Sequence, residues 1–185
     1  EETALLELIS GNKSIPHSRP PYPVEKGLLG MPTVVNNVET FANVPQIVLK
    51  GAEWFMQHGT ENSKGTKMFS ISGMVNRPGI LELPLGVSMK DIVFDICGGL
   101  PKNKKLKAVF VGGPTGGCVP EKYLNMPVDF ESLSEIDASM GSGGIVVIDE
   151  SEPIVEMCKY FVEFSLNESC GKCAPCRIGT KQLLN

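Results

Sequence analysis

Three cysteines within seven residues constrain this chain more than any other feature: Cys170-Gly171-Lys172-Cys173-Ala174-Pro175-Cys176-Arg177. Sulfurs spaced C-x2-C-x2-C, with Gly171 and Pro175 setting the turns between them, can converge on one centre. Near neighbours of this kind suit metal ligation better than loop closure. The six cysteines therefore do not read as a secreted disulfide framework, and a reducing compartment is expected. Thiolates select zinc, copper(I) or iron–sulfur clusters. Structural zinc usually takes two separated pairs of ligands, and no second pair is present. Three close cysteines plus one distant one is a way to hold a [4Fe–4S] cluster. The reading is an iron–sulfur centre, with zinc or uncoordinated thiols as the alternatives. Position 180 is Thr, so the fourth ligand is left open among Cys97, Cys118, Cys158 or a residue beyond the end. Lys172 and Arg177 are expected to offset the negative charge of the bound centre and raise its potential.

The rest of the composition is that of a globular chain. Its 185 residues are 42% hydrophobic and 21% charged, with a net charge of −4, which suits one domain or two small ones and disfavours a general nucleic-acid binder. The longest aliphatic run, Ile145-Val146-Val147-Ile148, is far short of the roughly 20 residues of a membrane span, and no secretory leader is expected. The chain opens without Met on a helical pattern and stops inside another, Thr180-Lys181-Gln182-Leu183-Leu184. It reads as a fragment.

Leu5, Leu6, Leu8 and Ile9 predict a short amphipathic helix closed by Gly11. The stretch Arg19-Pro20-Pro21-Tyr22-Pro23 cannot be helix and reads as an extended connector. After Thr33-Val34-Val35, Asn36 or Asn37 can cap a helix with Glu39 in its first turn, and Pro45 is expected to start a second helical stretch. From Lys67 the period changes to two. Met68, Phe69, Ile71 and Val75 predict one strand and Ile80, Leu81 and Leu83 another, joined by a type II turn at Arg77-Pro78-Gly79-Ile80. Ser88 caps a short helix whose stripe is Met89, Ile92, Val93 and Ile96, and Ala108-Val109-Phe110-Val111 is a third strand. Hairpin, helix and strand in this order predict a small ubiquitin-like α+β unit over 66–120. Residues 121–139 read as an acidic surface connection. Ser151 and Pro153 open a helix with the stripe Ile154, Met157, Cys158, Phe161 and Val162.

The remaining candidates carry less. Cys97 and Cys158 lie on predicted apolar helix faces, where free cysteine is a small hydrophobe, and Cys118 follows a glycine loop. His17 and His58 are isolated. The loop Gly112-Gly113-Pro114-Thr115-Gly116-Gly117 follows a strand but lacks the dinucleotide and Walker frames. Gly141–Gly144 permits close approach of a planar ring or of another backbone. No acid–base pair or nucleophile stands out, so no catalytic residue is assigned and a hydrolase has no support.

Three stretches together resemble a known family: Arg19-Pro20-Pro21-Tyr22-Pro23, Gly30-Met31-Pro32-Thr33-Val34-Val35-Asn36-Asn37-Val38-Glu39-Thr40 and Glu168-Ser169-Cys170-Gly171-Lys172-Cys173-Ala174-Pro175-Cys176-Arg177. They are similar to the flavin-bearing, NADH-oxidising subunit of respiratory complex I and its relatives in NAD(P)-linked hydrogenases and formate dehydrogenases. The resemblance implies an α+β chain: part of an α/β flavin domain (1–65), an inserted β-grasp soluble-ligand-binding (SLBB) unit (66–120), a return to the flavin domain (121–150) and the start of a helical iron–sulfur domain (151–185). It implies that Asn36, Asn37 and Thr40 contact FMN and that Glu1 and Glu2 stand beside the flavin and nicotinamide. It also implies that Cys170, Cys173 and Cys176 hold a [4Fe–4S] cluster whose fourth cysteine lies past Asn185. The implied activity is hydride transfer from NAD(P)H to FMN, then electron transfer through the cluster to a partner subunit, a thioredoxin-like [2Fe–2S] protein. The acidic 121–168 stretch is a candidate partner face, and the implied location is the cytoplasm or the matrix side of an organelle. The alternative from another class is a non-catalytic binding module with a structural metal site.

Overall fold

The computed structural model describes residues 2–184. These divide into two compact units, one made of residues 2–45 and 165–184, the other of 46–164. The divisions fall inside two helices.

The larger unit is built on a five-stranded sheet. Strands β1 (Thr66–Gly73) and β2 (Gly79–Pro84) are antiparallel neighbours, as are β3 (Leu106–Val111) and β4 (Gly117–Pro120). Strand β5 (Gly144–Asp149) lies between the two pairs, parallel to β1 and antiparallel to β3, giving the order β2-β1-β5-β3-β4. Residues 144–149, within the stretch 121–150 that the resemblance assigns to a return to the flavin domain, form the central strand of this sheet. The uninterrupted Ile145-Val146-Val147-Ile148 run follows from that position, because a central strand covered on both faces needs apolar residues at every step. Ile145 and Val147 join Phe69, Ile71, Val109 and Val111 in the main core, against the fully buried Met89, Ile92 and Val93. Those three come from the helical segment ending in a π-type turn (Asp91–Ile96), capped as expected by Ser88, whose hydroxyl accepts the Asp91 N–H at 3.1 Å. On the opposite face Ala108, Phe110 and Ile148 meet Ile154, Met157 and Phe161 of a long helix (Ile154–Asn167), with the Phe110 and Phe161 rings edge-on at 5.2 Å.

Two expectations fail in this unit. The connection between β1 and β2 is not a tight type II turn. Pairing of Ile71 with Gly79 leaves a wider loop, held by the Asn76 and Arg77 N–H groups donating to Gly99 and Cys97 carbonyls. The segment 121–139 is not a surface connection either. It inserts Leu124, Val128, Leu133 and Ala138 into the core, with Met140 just after it, and forms a short helix (Phe130–Glu135) capped by Asp129, which accepts the Ser132 N–H at 2.7 Å. The buried positions follow neither the helical nor the strand period, so the pattern was invisible in one dimension.

In order along the chain, the helices are α1 (Glu2–Ile9), α2 (Val38–Lys50), α3 (Ala52–Phe55), α4 (Phe130–Glu135), α5 (Ile154–Asn167) and α6 (Thr180–Leu183). Pro45 does not start a second helix but sits inside α2. Its fixed φ suits the helix, and continuing through it forfeits the one hydrogen bond that its missing N–H would have made. In the smaller unit α1 is followed by the proline-rich connector and a single 3-10 turn (Leu28–Gly30). Thr33-Val34-Val35 is extended but pairs with no strand. Among the described residues no helix is long and apolar enough to cross a membrane.

Candidate functional site

Both groups of site candidates that the described residues contain fall in the smaller unit. The first lines a groove of about 940 Å³, within the range of small-molecule pockets. Leu5 and Leu8 of α1 form one wall, Tyr22 and Pro23 of the connector another, and Val34–Val38 the third. The fold of the intervening loop presents that third wall. Thr33 donates its N–H to the Pro23 carbonyl at 2.8 Å, its hydroxyl accepts the Leu28 N–H at 2.9 Å, and the same hydroxyl donates to the Met31 carbonyl. A side chain at Gly27 would stand 2.5 Å from Thr33 Cβ, so this closure needs glycine there.

Glu2, Asn36 and Asn37 all line the groove. Thr40 is exposed and does not, and Glu1 lies outside the described residues. The Asn37 carbonyl accepts the Phe41 N–H at 3.1 Å, and the residue lines the groove. Two amides, each offering a carbonyl acceptor and an NH2 donor, can read the polar edge of a heterocycle held against the apolar walls. Sequence reasoning missed Arg19. Its guanidinium pairs with the Glu2 carboxylate and lies 6.0 Å from the Tyr22 ring, placing a cation in the groove that balances the acid. The signal is an arginine directly before the proline run, a stretch that reads as a connector and as part of the family resemblance without a site role for Arg19.

The second group is the cysteine turn after α5. Cys170, Cys173 and Cys176 are free and exposed. Gly171 takes a left-handed φ of +72°, and its N–H donates to Ser169 Oγ at 3.2 Å. Arg177 closes the turn twice, with its guanidinium donating to the Gly171 carbonyl and its N–H to the Cys173 carbonyl, both at 2.9 Å. Ser169 Oγ is also 3.3 Å from Cys176 Sγ. The donor set suits a thiolate-bound centre: three solvent-facing sulfurs at regular spacing, one with a hydroxyl neighbour able to donate to it. Among the described residues no three His, Cys, Asp or Glu side chains already converge to hold a metal, and no fourth ligand joins the trio. Cys97 is fully buried in the sheet core, where desolvation raises its pKa despite nearby Arg77. Cys118 is half-buried, with its pKa raised by burial and by the charge of Cys158. Cys158 is exposed rather than part of the apolar face of α5, which turns Ile154, Met157 and Phe161 to the sheet instead. Lys172, expected to offset the charge of a bound centre, donates to the Pro16 carbonyl. His17 is 3.4 Å from Glu7.

Residues 156–185 match the NADH-ubiquinone oxidoreductase-F iron-sulfur binding region, and residues 68–118 match the SLBB domain. The chain is 48% identical over 183 residues to the NADP-reducing hydrogenase subunit HndC of Solidesulfovibrio fructosivorans, covering 99% of this chain and 37% of that protein. It is 45% identical over 179 residues to NADH-quinone oxidoreductase F-subunit 2 of Rhizobium meliloti, covering 97% of this chain and 42% of the relative. It is 43% identical over 185 residues to the NADH-quinone oxidoreductase F-subunit of Aquifex aeolicus, covering 100% and 42%. Over nearly its whole length the chain is similar to subunits of this family. The solved structure of an NAD+-reducing [NiFe]-hydrogenase in the H2-reduced state superposes with a TM-score of 0.86 at 41% identity, covering 100% of this chain and 31% of that one.

The chain therefore spans about two fifths of the length of its curated relatives. Within that span the iron–sulfur match contains Cys170, Cys173 and Cys176, together with the Ser169 and Arg177 that shape their turn. The SLBB match takes in most of β1 through the start of β4 and ends before β5, the strand that completes the sheet.

Proposed function

We propose that this chain is the part of an NAD(P)H-oxidising electron-transfer subunit that forms one side of an FMN and nucleotide groove and supplies three ligands of a [4Fe–4S] cluster. The observation that carries the reading is that the groove and the cysteine turn, more than 130 residues apart in sequence, belong to one compact unit. FMN, when bound, takes two electrons as hydride, and a thiolate-held cluster accepts electrons singly. The amides of Asn36 and Asn37 hold and orient the flavin edge, with Val34, Val35 and Leu5 excluding water. Thr40 acts from outside the groove lining, at the first turns of α2. The Glu2–Arg19 pair, with Glu1, shapes the nucleotide side. Cys170, Cys173 and Cys176 hold the iron, Ser169 donates to one sulfur, and Arg177 keeps the turn closed. The fourth ligand and the flavin's glycine-rich loop come from other parts of the longer protein. Electrons leave to another subunit of a multi-subunit redox complex, a thioredoxin-like [2Fe–2S] protein, in the cytoplasm or an organelle matrix. The domain assignment follows the same reading, with the β-grasp unit extended to include β5.

The test is anaerobic purification of the full-length parent, with iron, zinc and FMN assayed and EPR recorded after NADH addition. Stoichiometric FMN, about four irons at this site and a reduced-cluster signal absent from Cys173→Ser are expected. A colourless parent with zinc in place of iron, whose visible spectrum ignores NADH, would overturn the proposal in favour of a binding module.

A further inference from the structure

The proline-rich connector between α1 and the 3-10 turn has little packing of its own. Its residues are almost all exposed, and proline removes several of its backbone donors. It is held instead by polar contacts. Ser14 Oγ donates to the Ala4 carbonyl at 3.3 Å, the His17 N–H donates to Thr3 Oγ1 at 3.0 Å, and Arg19 pairs with Glu2. These fasten it to α1. A further contact comes from the other end of the chain: Lys172, between Cys170 and Cys173, donates its ammonium to the Pro16 carbonyl. Three positions further on, Arg19 enters the groove lining, followed by Tyr22 and Pro23.

We infer that Lys172 is a positioning residue, a clasp that fastens the cysteine turn to the connector forming one wall of the groove. The inference rests on the proposed function for its consequence, though not for the contact. An ammonium engaged by a backbone carbonyl keeps its charge and two further N–H donors, but that acceptor sets where it sits. Its main effect is to fix the turn relative to the groove wall rather than to compensate charge on a bound centre. Because the contacts along the connector are solvent-exposed and individually weak, loss of one loosens the others. Whatever orders the cysteine turn then also orders the groove wall, and by linkage the reverse holds.

The experiment uses the anaerobically purified full-length parent as wild type, Lys172→Met and Lys172→Arg. Hydrogen exchange is followed in peptides covering 12–23 and 106–111, alongside FMN affinity, iron content and the midpoint potential of the centre. Lys172→Met should speed exchange in 12–23 by about three- to tenfold, leave 106–111 unchanged, weaken FMN binding by a similar factor and leave iron content intact. Lys172→Arg, still able to donate to the carbonyl, should restore exchange and FMN affinity. Unchanged exchange in 12–23 overturns the clasp, and if the potential alone moves, Lys172 is a charge-tuning residue. A wild-type parent without flavin or iron would defeat the functional reading by itself. The clasp then stands or falls on the exchange of 12–23.

Discussion

Leu133 offers a direct test of where residues 121–139 belong. Its side chain is fully buried in the core of the larger unit, while Phe130 of the same helix is 51% exposed. Replacing Leu133 by Ala removes three carbons, worth about 2.4 kcal/mol at about 0.8 kcal/mol each, and incomplete collapse of the site adds about 1 kcal/mol. A loss of about 3 kcal/mol in a unit of this size lowers its Tm by roughly 10–15 °C. Phe130→Ala, acting on an exposed ring of the same helix, should cost less than about 1 kcal/mol. Trp54 is the sole tryptophan and lies in this unit, so its fluorescence follows this transition during thermal or guanidinium unfolding. If Leu133→Ala melts within about 2 °C of wild type and matches Phe130→Ala, the segment is the surface connection its acidic composition suggests, and the core assignment is wrong.

Two further outcomes are expected from the same unit. The Asp149 carboxyl is held down to about 2 by Lys104, at 2.7 Å, and by the Ser151 hydroxyl and N–H. A depressed carboxyl stabilises above its unfolded pKa and loses that contribution as pH falls, so the Trp54-monitored stability should drop from about pH 4 toward pH 2, and Asp149→Asn should flatten that slope. The same contact raises the Lys104 pKa, so its contribution is lost only on the alkaline side, as pH rises through the raised value. Gly143 has a φ of +88°, and a Cβ there would lie 2.3 Å from the Met68 carbonyl oxygen, whereas Gly113, at +75°, has nothing within 4 Å. Gly143→Ala should therefore cost more than about 2 kcal/mol and Gly113→Ala only about 1 kcal/mol, compared by guanidinium midpoints.

Gly143 also shows how an ambiguity in the sequence is resolved. A glycine run before a strand fits either a ring or another backbone, and the close neighbours at Gly141 and Gly143 are backbone atoms of Gly112 and Met68. The groove was partly legible. Asn36 and Asn37 were singled out, and both line it, but Arg19 and its pairing with Glu2 were not foreseen, because a contact between a connector and a preceding helix leaves no periodic trace. Lys172 was read as a charge beside a metal centre from its place between two cysteines. Spacing alone cannot tell which way a long, flexible side chain turns, and here it turns to Pro16.

By itself the sequence determined what is patterned locally along the chain: the alternation that makes Thr66–Gly73 a strand, the apolar run within Leu106–Val111, the helical stripe of Met89, Ile92 and Val93, and the three evenly spaced sulfurs. Those features are local: backbone geometry dictates the periods of two and 3.6, and the sulfur spacing is carried within seven consecutive residues. Only the tertiary structure decided that Ile145–Ile148 is the middle of the sheet, that Leu133 is core, and that a groove and a cysteine turn from opposite ends of the chain share one compact unit. Each of these depends on contacts between residues far apart in sequence, where burial and pairing are set by what the chain meets after it has folded back on itself.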